Sequence, residues 1–311
     1  MENQKYRIAV VGIGGVGGYY GGRLAQRFAG DDKYEIIFVA RGAHKEKIEQ
    51  EGLKLELEQE TLTVLPDVVT DKPGELGQLD LILFCVKSYS LEQVAEQFAP
   101  SITSETMILP LLNGVESIEY LQRRFPEAQV LWGCVYIISS IKAPGVVQVQ
   151  GKYNRLVWGN PKLPQDKLQH IKWLFDDAGI NHEYYEQEVE AKVWEKFSFI
   201  SPVASLTSLT HQSMGRIMEQ EPLRQQLQQL MQELVQVAKA KGIHLPQDMV
   251  ARNLAVVEKL PQGATSSMER DFADGNRTEL ENLTGYIVRE AEKYRVEVPI
   301  YEQVYRELKG L

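Results

Sequence analysis

Four glycines lie within six residues near the start of the chain, between a short apolar segment and a segment with helical spacing. The stretch reads Gly12, Ile13, Gly14, Gly15, Val16, Gly17. In a strand-to-helix turn of the G-x-G-x-x-G type, the first glycine makes the tight turn, the second lets the backbone approach a pyrophosphate, and the third packs the helix closely. The helix N-terminus adds N–H donors and a partial positive charge. The sequence therefore predicts a dinucleotide site; the alternative is a glycine-rich turn without a ligand.

The first half of the chain alternates short β-branched runs with helical patterns, which is typical of a parallel sheet covered on both faces. Several runs are apolar without alternation, as expected for strands buried on both faces. The predicted strands are residues 6–11, 35–40, 79–86, 106–111 and 130–138, and the predicted helices are residues 15–28, 91–98 and 117–125. A turn at Pro144 and Gly145 introduces a predicted hairpin between residues 146–149 and 155–158.

The pattern changes near residue 186 to helical periodicity with almost no strand signal. The predicted helices there are residues 188–198, 221–241, 248–258, 278–293 and 301–308. We therefore predict the α/β class, with an N-terminal Rossmann-type parallel-sheet domain (residues 1–186) that binds the cofactor. An all-helical C-terminal domain (residues 187–311) would bind the substrate and carry catalytic residues.

Charge and cysteine content exclude several classes of protein. The 311 residues contain 34 Lys and Arg against 43 Asp and Glu, a net charge of −9, whereas a nucleic-acid binder carries a basic excess. The longest purely apolar run, residues 81–86, is too short to span a membrane. Two cysteines, Cys85 and Cys134, are too few for a disulfide framework or a Cys-rich zinc site. We expect no nucleic-acid or membrane partner, no metal, no secretory signal and a cytoplasmic location.

The residue that follows the second predicted strand indicates which nicotinamide cofactor is bound. In NAD-binding sheets this strand usually ends on Asp or Glu, which binds the ribose hydroxyls. Here the strand is followed by Arg41, whose guanidinium can pair with the 2′-phosphate of NADP. Lys45 and Lys47 are near enough in sequence to assist. We therefore predict NADPH; the alternative is an ordinary surface arginine.

Two polar residues follow predicted parallel strands at their carboxyl ends, where open α/β sheets bind ligands. Lys87 follows residues 79–86, and Asn113 follows residues 106–111. Lys87 is a candidate contact to a cofactor phosphate or to the substrate. Asn113 is a candidate to orient the nicotinamide, to bind substrate or to hydrogen-bond Lys87. Each residue taken alone could be an ordinary loop residue.

Ten short motifs occur in a fixed order from residue 12 to residue 299. They are Gly12–Gly17, Val39–Gly42, Cys85–Lys87, Leu112–Gly114, Pro144-Gly145, Trp194–Lys196, Leu206–Thr210, Ser266–Met268, Thr278–Leu280 and Val298-Pro299. In order and spacing they resemble the ketopantoate reductases (2-dehydropantoate 2-reductases). The resemblance implies a cytoplasmic enzyme that uses NADPH to reduce a 2-oxo acid to a 2-hydroxy acid, on the route to pantothenate and coenzyme A.

The resemblance implies that Lys196 is the general acid. A ketone oxygen gains negative charge as its carbon accepts a hydride, and a nearby ammonium can stabilise that charge and deliver a proton. The resemblance also implies that Glu279 is catalytic and binds both cofactor and substrate, and that Ser267 binds the substrate. Without the family motifs, Lys196 and Glu279 would be interpreted as exposed helical residues and Ser267 as a loop residue.

Three positions depart from the family pattern. The family often has asparagines four and eight residues after its catalytic lysine and another at a later turn. Here those positions are Ile200, Ala204 and Met214. A pocket without these amides has a different polar pattern and need not favour the same oxo acid.

Serines near Lys196 could replace the missing amides. Ser201, Ser205 and Ser208 are spaced i, i+4 and i+7, and Ser201 is the predicted substrate ligand of the three. Pro202 is expected to interrupt the helix, because it removes the hydrogen bond to the carbonyl of Ser198.

Three functions therefore remain open. The first is NADPH-dependent reduction of 2-dehydropantoate, and the second is reduction of another small oxo acid, which the missing amides favour. The third is an NADPH-binding sensor without turnover. For an enzyme, the two predicted domains would place the active site in the cleft between them. A homodimer through the glutamine-rich residues 224–232 is a further expectation.

Overall fold

The apolar runs of the first half form two sheets. The computed structural model describes residues 5–310, without the side chains of residues 152 and 153, so the outermost residues of both predicted domains lie outside the description. The strands are β1 (Tyr6–Val11), β2 (Tyr34–Val39), β3 (Leu53–Glu56), β4 (Thr61–Val64), β5 (Val68–Thr70), β6 (Leu81–Phe84), β7 (Met107–Pro110), β8 (Gln129–Val130), β9 (Trp132–Ala143), β10 (Val146–Gly159) and β11 (His182–Tyr184).

The first sheet has six parallel strands in the order β5-β2-β1-β6-β7-β8. This is the strand order of a Rossmann fold once the β3–β4 hairpin is set aside, and it places β1 at the centre. Central strands are buried on both faces, which is why Ala9 and Val10, whose side chains point to opposite faces, are both fully buried. The glycine loop, residues 12–17, therefore starts from the centre of the sheet.

The second sheet is built around β10, which pairs with β9 on one edge and with β3 and β11 on the other. The predicted hairpin is wrong, because residues 146–149 and 155–158 both belong to β10 and their partner is β9. The Pro144-Gly145 turn joins β9 to β10, one strand earlier than expected. The register shifts between Gln150 and Asn154, around Gly151 with its positive φ of 75°. Because of this irregularity, the sequence of the single strand β10 has the pattern of two short strands joined by a turn.

Two compact units divide the chain. One contains residues 5–112 and 117–189, and the other contains Asn113–Glu116 and residues 190–310, whereas the sequence predicts a boundary at 186/187. The helices of the first unit are α1 (Gly15–Phe28), α2 (Gly42–Glu51), α3 (Leu91–Phe98), α4 (Glu116–Arg124) and α5 (Gln165–Asp177). Those that follow are α6 (Val189–Thr210), α7 (Met214–Glu219), α8 (Glu221–Ala240), α9 (Met249–Val257), α10 (Ser267–Ala273), α11 (Tyr286–Tyr294) and α12 (Pro299–Lys309).

The second unit is helical throughout the part that the structure describes, with a π-helical turn at Glu281–Gly285 before α11. The predicted fold class is therefore confirmed. Within residues 5–310, no helix has the length and apolar character to cross a membrane. The predicted helix at 221–241 is α8, whose glutamines lie mostly at the surface, and pairing of two copies through it stays a prediction.

Candidate active site

The glycine loop leaves room for a ligand at one position and is closely packed at the others. Gly12 has a φ of 90°, and a Cβ there would lie 2.8 Å from Val86 Cγ1. A Cβ on Gly17 would lie 2.1 Å from the Gly12 carbonyl oxygen, and one on Gly15 would lie 2.4 Å from the Ser139 carbonyl oxygen. Gly15 and Gly17 accept only glycine because backbone packs against them, and Gly12 does so because of its positive φ and its contact with Val86.

Gly14 is different, because a Cβ there would meet no atom within 4 Å. It is the N-cap of α1, whose first turn carries no acidic side chain. The side chain of Ile13 is buried and that of Val16 packs against the core, so both could contact a cofactor only through the backbone. Open space beside free N–H donors at a helix N-terminus fits a pyrophosphate.

Arg41 lies at the N-cap of α2, directly after β2, and its side chain is exposed. It borders a cavity of about 520 Å³ whose other lining residues are Asp71, Pro73, Gly74 and Gln97. The guanidinium donates to Gln97 Oε1 at 3.3 Å. Lys45 and Lys47 form ion pairs with Glu49 and Glu51 on the same helix, at 2.8 and 2.5 Å. Arg41 is thus the cation among the lining residues of this cavity, and Lys45 Nζ lies 4.0 Å from the carboxylate of Asp71 at its edge.

Lys87 and Asn113 both follow strands of the parallel sheet at their carboxyl ends. Lys87 is exposed in the loop after β6, in the first unit. Asn113 follows β7 along the chain, but the segment Asn113–Glu116 packs with the second unit. The sequence pattern did not indicate that Lys87 and Asn113 belong to different units. Only four residues, Asn113–Glu116, leave the first unit here, and the chain returns to it directly afterwards.

Lys196 and Asn113 come together within the second unit. Lys196 Nζ donates to Asn113 Oδ1 at 3.2 Å, and Lys196 is 9% exposed. The neighbours Trp194 and Phe197 are buried against Tyr286 of α11, with ring centroids 6.1 and 5.8 Å from it. These aromatic contacts fix the rotation of α6 about its axis, so they also fix the direction in which Lys196 leaves the helix.

The helix that carries Lys196 continues past Pro202 to Thr210, so the predicted interruption is wrong. Pro202 removes the N–H that would bind the Ser198 carbonyl. Asn253 of α9 supplies a replacement, because its Nδ2 donates to that carbonyl at 3.0 Å. The sequence analysis missed Asn253: the proline indicated that a carbonyl would lack a partner, but not which distant side chain would bind it.

Ser201 is not available to a substrate, which corrects its predicted role. The residue is fully buried, and its Oγ donates to the Leu283 carbonyl at 3.0 Å and lies 2.8 Å from the Tyr301 hydroxyl. Ser205 is likewise buried and lies 2.8 Å from Thr284 Oγ1. Ser201 and Ser205 therefore lie on the face of α6 that packs against the π-helical turn.

Glu279 and Ser267 also belong to the second unit. Glu279 is 5% exposed and lies two residues before the π-helical turn, and its backbone carbonyl accepts from the N–H groups of Asn282 and Leu283. Ser267 is the first residue of α10 and is half-buried. The hydroxyl that caps α10 is that of the preceding Ser266, which accepts from the Glu269 N–H, so the Ser267 hydroxyl is not used by the cap. The Ser267 hydroxyl is thus available to a ligand.

Of the three positions that depart from the family pattern, only one keeps substantial exposure. Ala204 is 4% exposed and Met214 is 1% exposed, whereas Ile200 is half-buried. Ile200 lies one helical turn after Lys196 on the same side of α6. An apolar side chain therefore stands partly exposed near the lysine. No group of three or more potential ligands for a metal ion occurs within residues 5–310.

Comparisons with known proteins cover nearly the whole chain. The profile described as "Ketopantoate reductase PanE/ApbA" matches residues 8–162, and that of its C-terminal part matches residues 188–311. An uncharacterized oxidoreductase, YkpB of Bacillus subtilis, is 30% identical over 97% of each chain. The 2-dehydropantoate 2-reductase of Halobacterium salinarum is 28% identical over 94% of this chain and 95% of its own.

A solved structure agrees with these matches. The crystal structure of 2-dehydropantoate 2-reductase from Porphyromonas gingivalis is 34% identical, covers 98% of this chain and 100% of its own, and superposes with a TM-score of 0.85. Both halves match one family in sequence, and the whole chain matches it in fold. The chain therefore belongs to the ketopantoate reductase family, whose members are NAD(P)-dependent oxidoreductases.

Proposed function

We propose that this chain reduces 2-dehydropantoate to pantoate with NADPH, in the cytoplasm, as a step of pantothenate and coenzyme A biosynthesis. One observation carries the proposal: the largely buried ammonium of Lys196, 3.2 Å from Asn113 Oδ1, in a unit that also buries Glu279. A cation held in a water-poor site suits a reaction in which a carbonyl oxygen gains negative charge. Relatives named 2-dehydropantoate 2-reductase support the choice of substrate.

The residues of the second unit would handle the proton and the substrate. Lys196 Nζ would hydrogen-bond the ketone oxygen and give it a proton as the carbon accepts a hydride, leaving a neutral amine and an alcohol. Asn113 would hold the ammonium through Oδ1. Ser267 would donate to the substrate carboxylate, and Glu279 would accept a hydrogen bond from a substrate hydroxyl or the cofactor.

The residues of the first unit would hold the dinucleotide. Its pyrophosphate would lie against Gly14 and the N-terminus of α1, where space and N–H donors are available. Arg41 would pair with the 2′-phosphate, and Lys87 would contact a phosphate. When bound, the reduced nicotinamide supplies the hydride. The exposed guanidinium of Arg41 beside its cavity supports NADPH over NADH.

A second candidate function is reduction of another small 2-oxo acid. It is favoured by Ile200, whose partly exposed apolar side chain lies one turn from Lys196, because such a surface suits an alkyl or aryl substituent better than a hydroxyl.

The experiment that separates these functions is a substrate panel. Oxidation of NADPH would be followed with 2-dehydropantoate, oxaloacetate, pyruvate and branched 2-oxo acids, each also with NADH. We expect 2-dehydropantoate with NADPH to give the highest kcat/KM. A branched oxo acid without a hydroxyl as the best substrate would favour the second candidate. Absence of turnover across the panel would contradict both.

A further inference from the structure

A buried asparagine lies behind the Lys196–Asn113 pair. Asn282 is 6% exposed and belongs to the π-helical turn Glu281–Gly285. Its Nδ2 donates to the backbone carbonyl of Asn113 at 2.6 Å. Asn282 therefore binds the main chain of the residue whose side chain binds the lysine, and all three residues lie within the second unit.

The backbone at Gly114 is shaped to admit this contact. Gly114 has a φ of 87°, and a Cβ there would lie 2.7 Å from Asn282 Nδ2. Any larger residue would push the amide away from the Asn113 carbonyl and would also strain the backbone. The Asn282–Asn113 hydrogen bond thus depends on the absence of a side chain at Gly114.

The π-helical turn explains why the amide points inward. A π-turn adds a residue to a helical turn and so changes which side chains face a neighbouring element; such turns are frequent at functional sites. Here the turn includes Asn282 and Thr284 and follows Glu279, whose carbonyl accepts from the Asn282 and Leu283 N–H groups. Thr284 is fully buried and lies 2.8 Å from Ser205 of α6, away from the Asn282–Asn113 contact.

We propose that Asn282 is a positioning residue for Lys196, because it holds the Asn113 backbone and thereby fixes the amide oxygen that binds the ammonium. The inference rests on the proposed function, in which Lys196 gives the proton. A lysine side chain has four flexible bonds. An acceptor whose own backbone is fixed by a hydrogen bond therefore restricts the positions that the lysine nitrogen can occupy. Small displacements of a catalytic group lower the rate of a reaction far more than they weaken binding.

Three variants test the proposal. Asn282→Leu keeps the approximate size and removes the donor, whereas Asn282→Gln keeps an amide donor. Thr284→Val is the matched control, because it removes a buried hydrogen bond from the same turn and leaves the Asn113 contact intact. We expect both Asn282→Leu and Thr284→Val to lower Tm. Only Asn282→Leu should lower kcat, by about 10- to 100-fold, with the KM for NADPH changed less than about twofold.

Partial recovery of kcat in Asn282→Gln would support the proposal, and equal kcat values for Asn282→Leu and Thr284→Val would overturn it. If the leucine variant does not fold, Asn282→Ala takes its place.

Lys196→Ala is measured alongside, to separate this inference from the proposed function. If Lys196→Ala keeps the wild-type kcat, the proposed acid is wrong. If Lys196→Ala loses kcat but Asn282→Leu keeps the wild-type kcat, only the present inference is rejected.

A second measurement needs no substrate. Trinitrobenzenesulfonate reacts with free amines, and peptide mass spectrometry gives the rate at Lys196 in each variant. We expect Asn282→Leu to raise this rate severalfold over both wild type and Thr284→Val, because the Asn113 amide that accepts from the ammonium is no longer held in place. An unchanged rate in Asn282→Leu and Asn282→Ala would overturn the proposal even if no substrate is found.

Discussion

Asn253 donates its side-chain amide to the carbonyl of Ser198 at 3.0 Å, and this is the carbonyl that Pro202 leaves without a backbone partner. The same amide lies 2.9 Å from Ser198 Oγ. Helix α6 therefore continues through Pro202 to Thr210, so Lys196 and the residues after the proline belong to one helix. A side chain from α9 thus maintains the continuity of the helix that carries the proposed acid.

We predict that Asn253→Leu lowers the free energy of unfolding by about 1–3 kcal/mol, because it leaves a buried carbonyl unsatisfied. Urea unfolding measures the change. The cost should shrink in a Pro202→Ala background, where the new alanine N–H can bind the Ser198 carbonyl. Additive effects in this double-mutant cycle, within about 0.5 kcal/mol, would show that Asn253 does not compensate for the proline.

The glycine loop gives a second prediction, which contrasts two positions. Gly14→Ala should fold normally, because its Cβ meets no atom within 4 Å, but should weaken NADPH binding by about 1–3 kcal/mol by filling the space left for the pyrophosphate. Gly17→Ala should instead lower Tm, because its Cβ would lie 2.1 Å from the Gly12 carbonyl oxygen. Calorimetric titration and thermal unfolding separate the two effects. Wild-type NADPH affinity in Gly14→Ala would reject the proposed pyrophosphate position.

Cofactor choice gives a third prediction. Arg41→Ala should weaken NADPH binding by about 2 kcal/mol, roughly 30-fold, while NADH binding changes little, since a charge-assisted contact to the 2′-phosphate is lost. Lys47→Ala is the control on the same helix, because Lys47 already pairs with Glu51. Fluorescence titration with both cofactors measures the outcome. An equal loss for NADPH and NADH would contradict the role of Arg41.

The sequence predicted the elements whose local pattern decides their structure. The helix at residues 91–98 agrees with α3, because its apolar residues recur at helical spacing and are buried. Helix α2 escaped prediction because Ile48 is its one buried residue, so it has no apolar stripe to detect. The π-helical turn could not be predicted either. Whether a carbonyl binds the fourth or the fifth residue after it depends on packing that the sequence pattern does not contain.

The residues of the candidate site could be predicted from the sequence, but the contacts that they make through tertiary packing could not. Lys196 and Asn113 were identified by motif, but their separation by 83 residues hid the hydrogen bond between them. Ser201 has the spacing of a pocket residue, yet it is fully buried with its hydroxyl 2.8 Å from that of Tyr301. Helical periodicity indicates which residues share a face, and tertiary packing decides what that face meets.

Stability should depend on pH through His44. Its Nδ1 accepts from the Gly145 N–H at 2.9 Å, and desolvation by burial lowers the pKa of His44 below its usual 6.5. Between the lowered folded-state pKa and 6.5 the unfolded chain binds more protons, so stability rises with pH through this window and is lost as pH falls through it. Urea unfolding between about pH 5 and pH 7 should give a shallower dependence in His44→Asn than in wild type.

The exposed His244 supplies the control for this measurement. His244→Asn makes the same substitution at the protein surface and is measured alongside His44→Asn. His170 and His182, whose pKa values burial also lowers, should account for the dependence that remains in His44→Asn. Identical slopes for His44→Asn and wild type would reject the contribution of His44.

The last prediction concerns the chemical step. Lys196→Ala should lower kcat by about 10² to 10⁴, the usual contribution of a positioned acid, and leave NADPH affinity nearly intact, because the proposed cofactor contacts lie at Gly14 and Arg41. Lys192→Ala is the matched control one turn earlier on α6, where the ammonium pairs with Glu195 at 2.8 Å. Any oxo acid that is turned over serves for the comparison. If Lys196→Ala keeps more than about half of the wild-type rate, another group gives the proton, and Lys87 becomes the next lysine to replace.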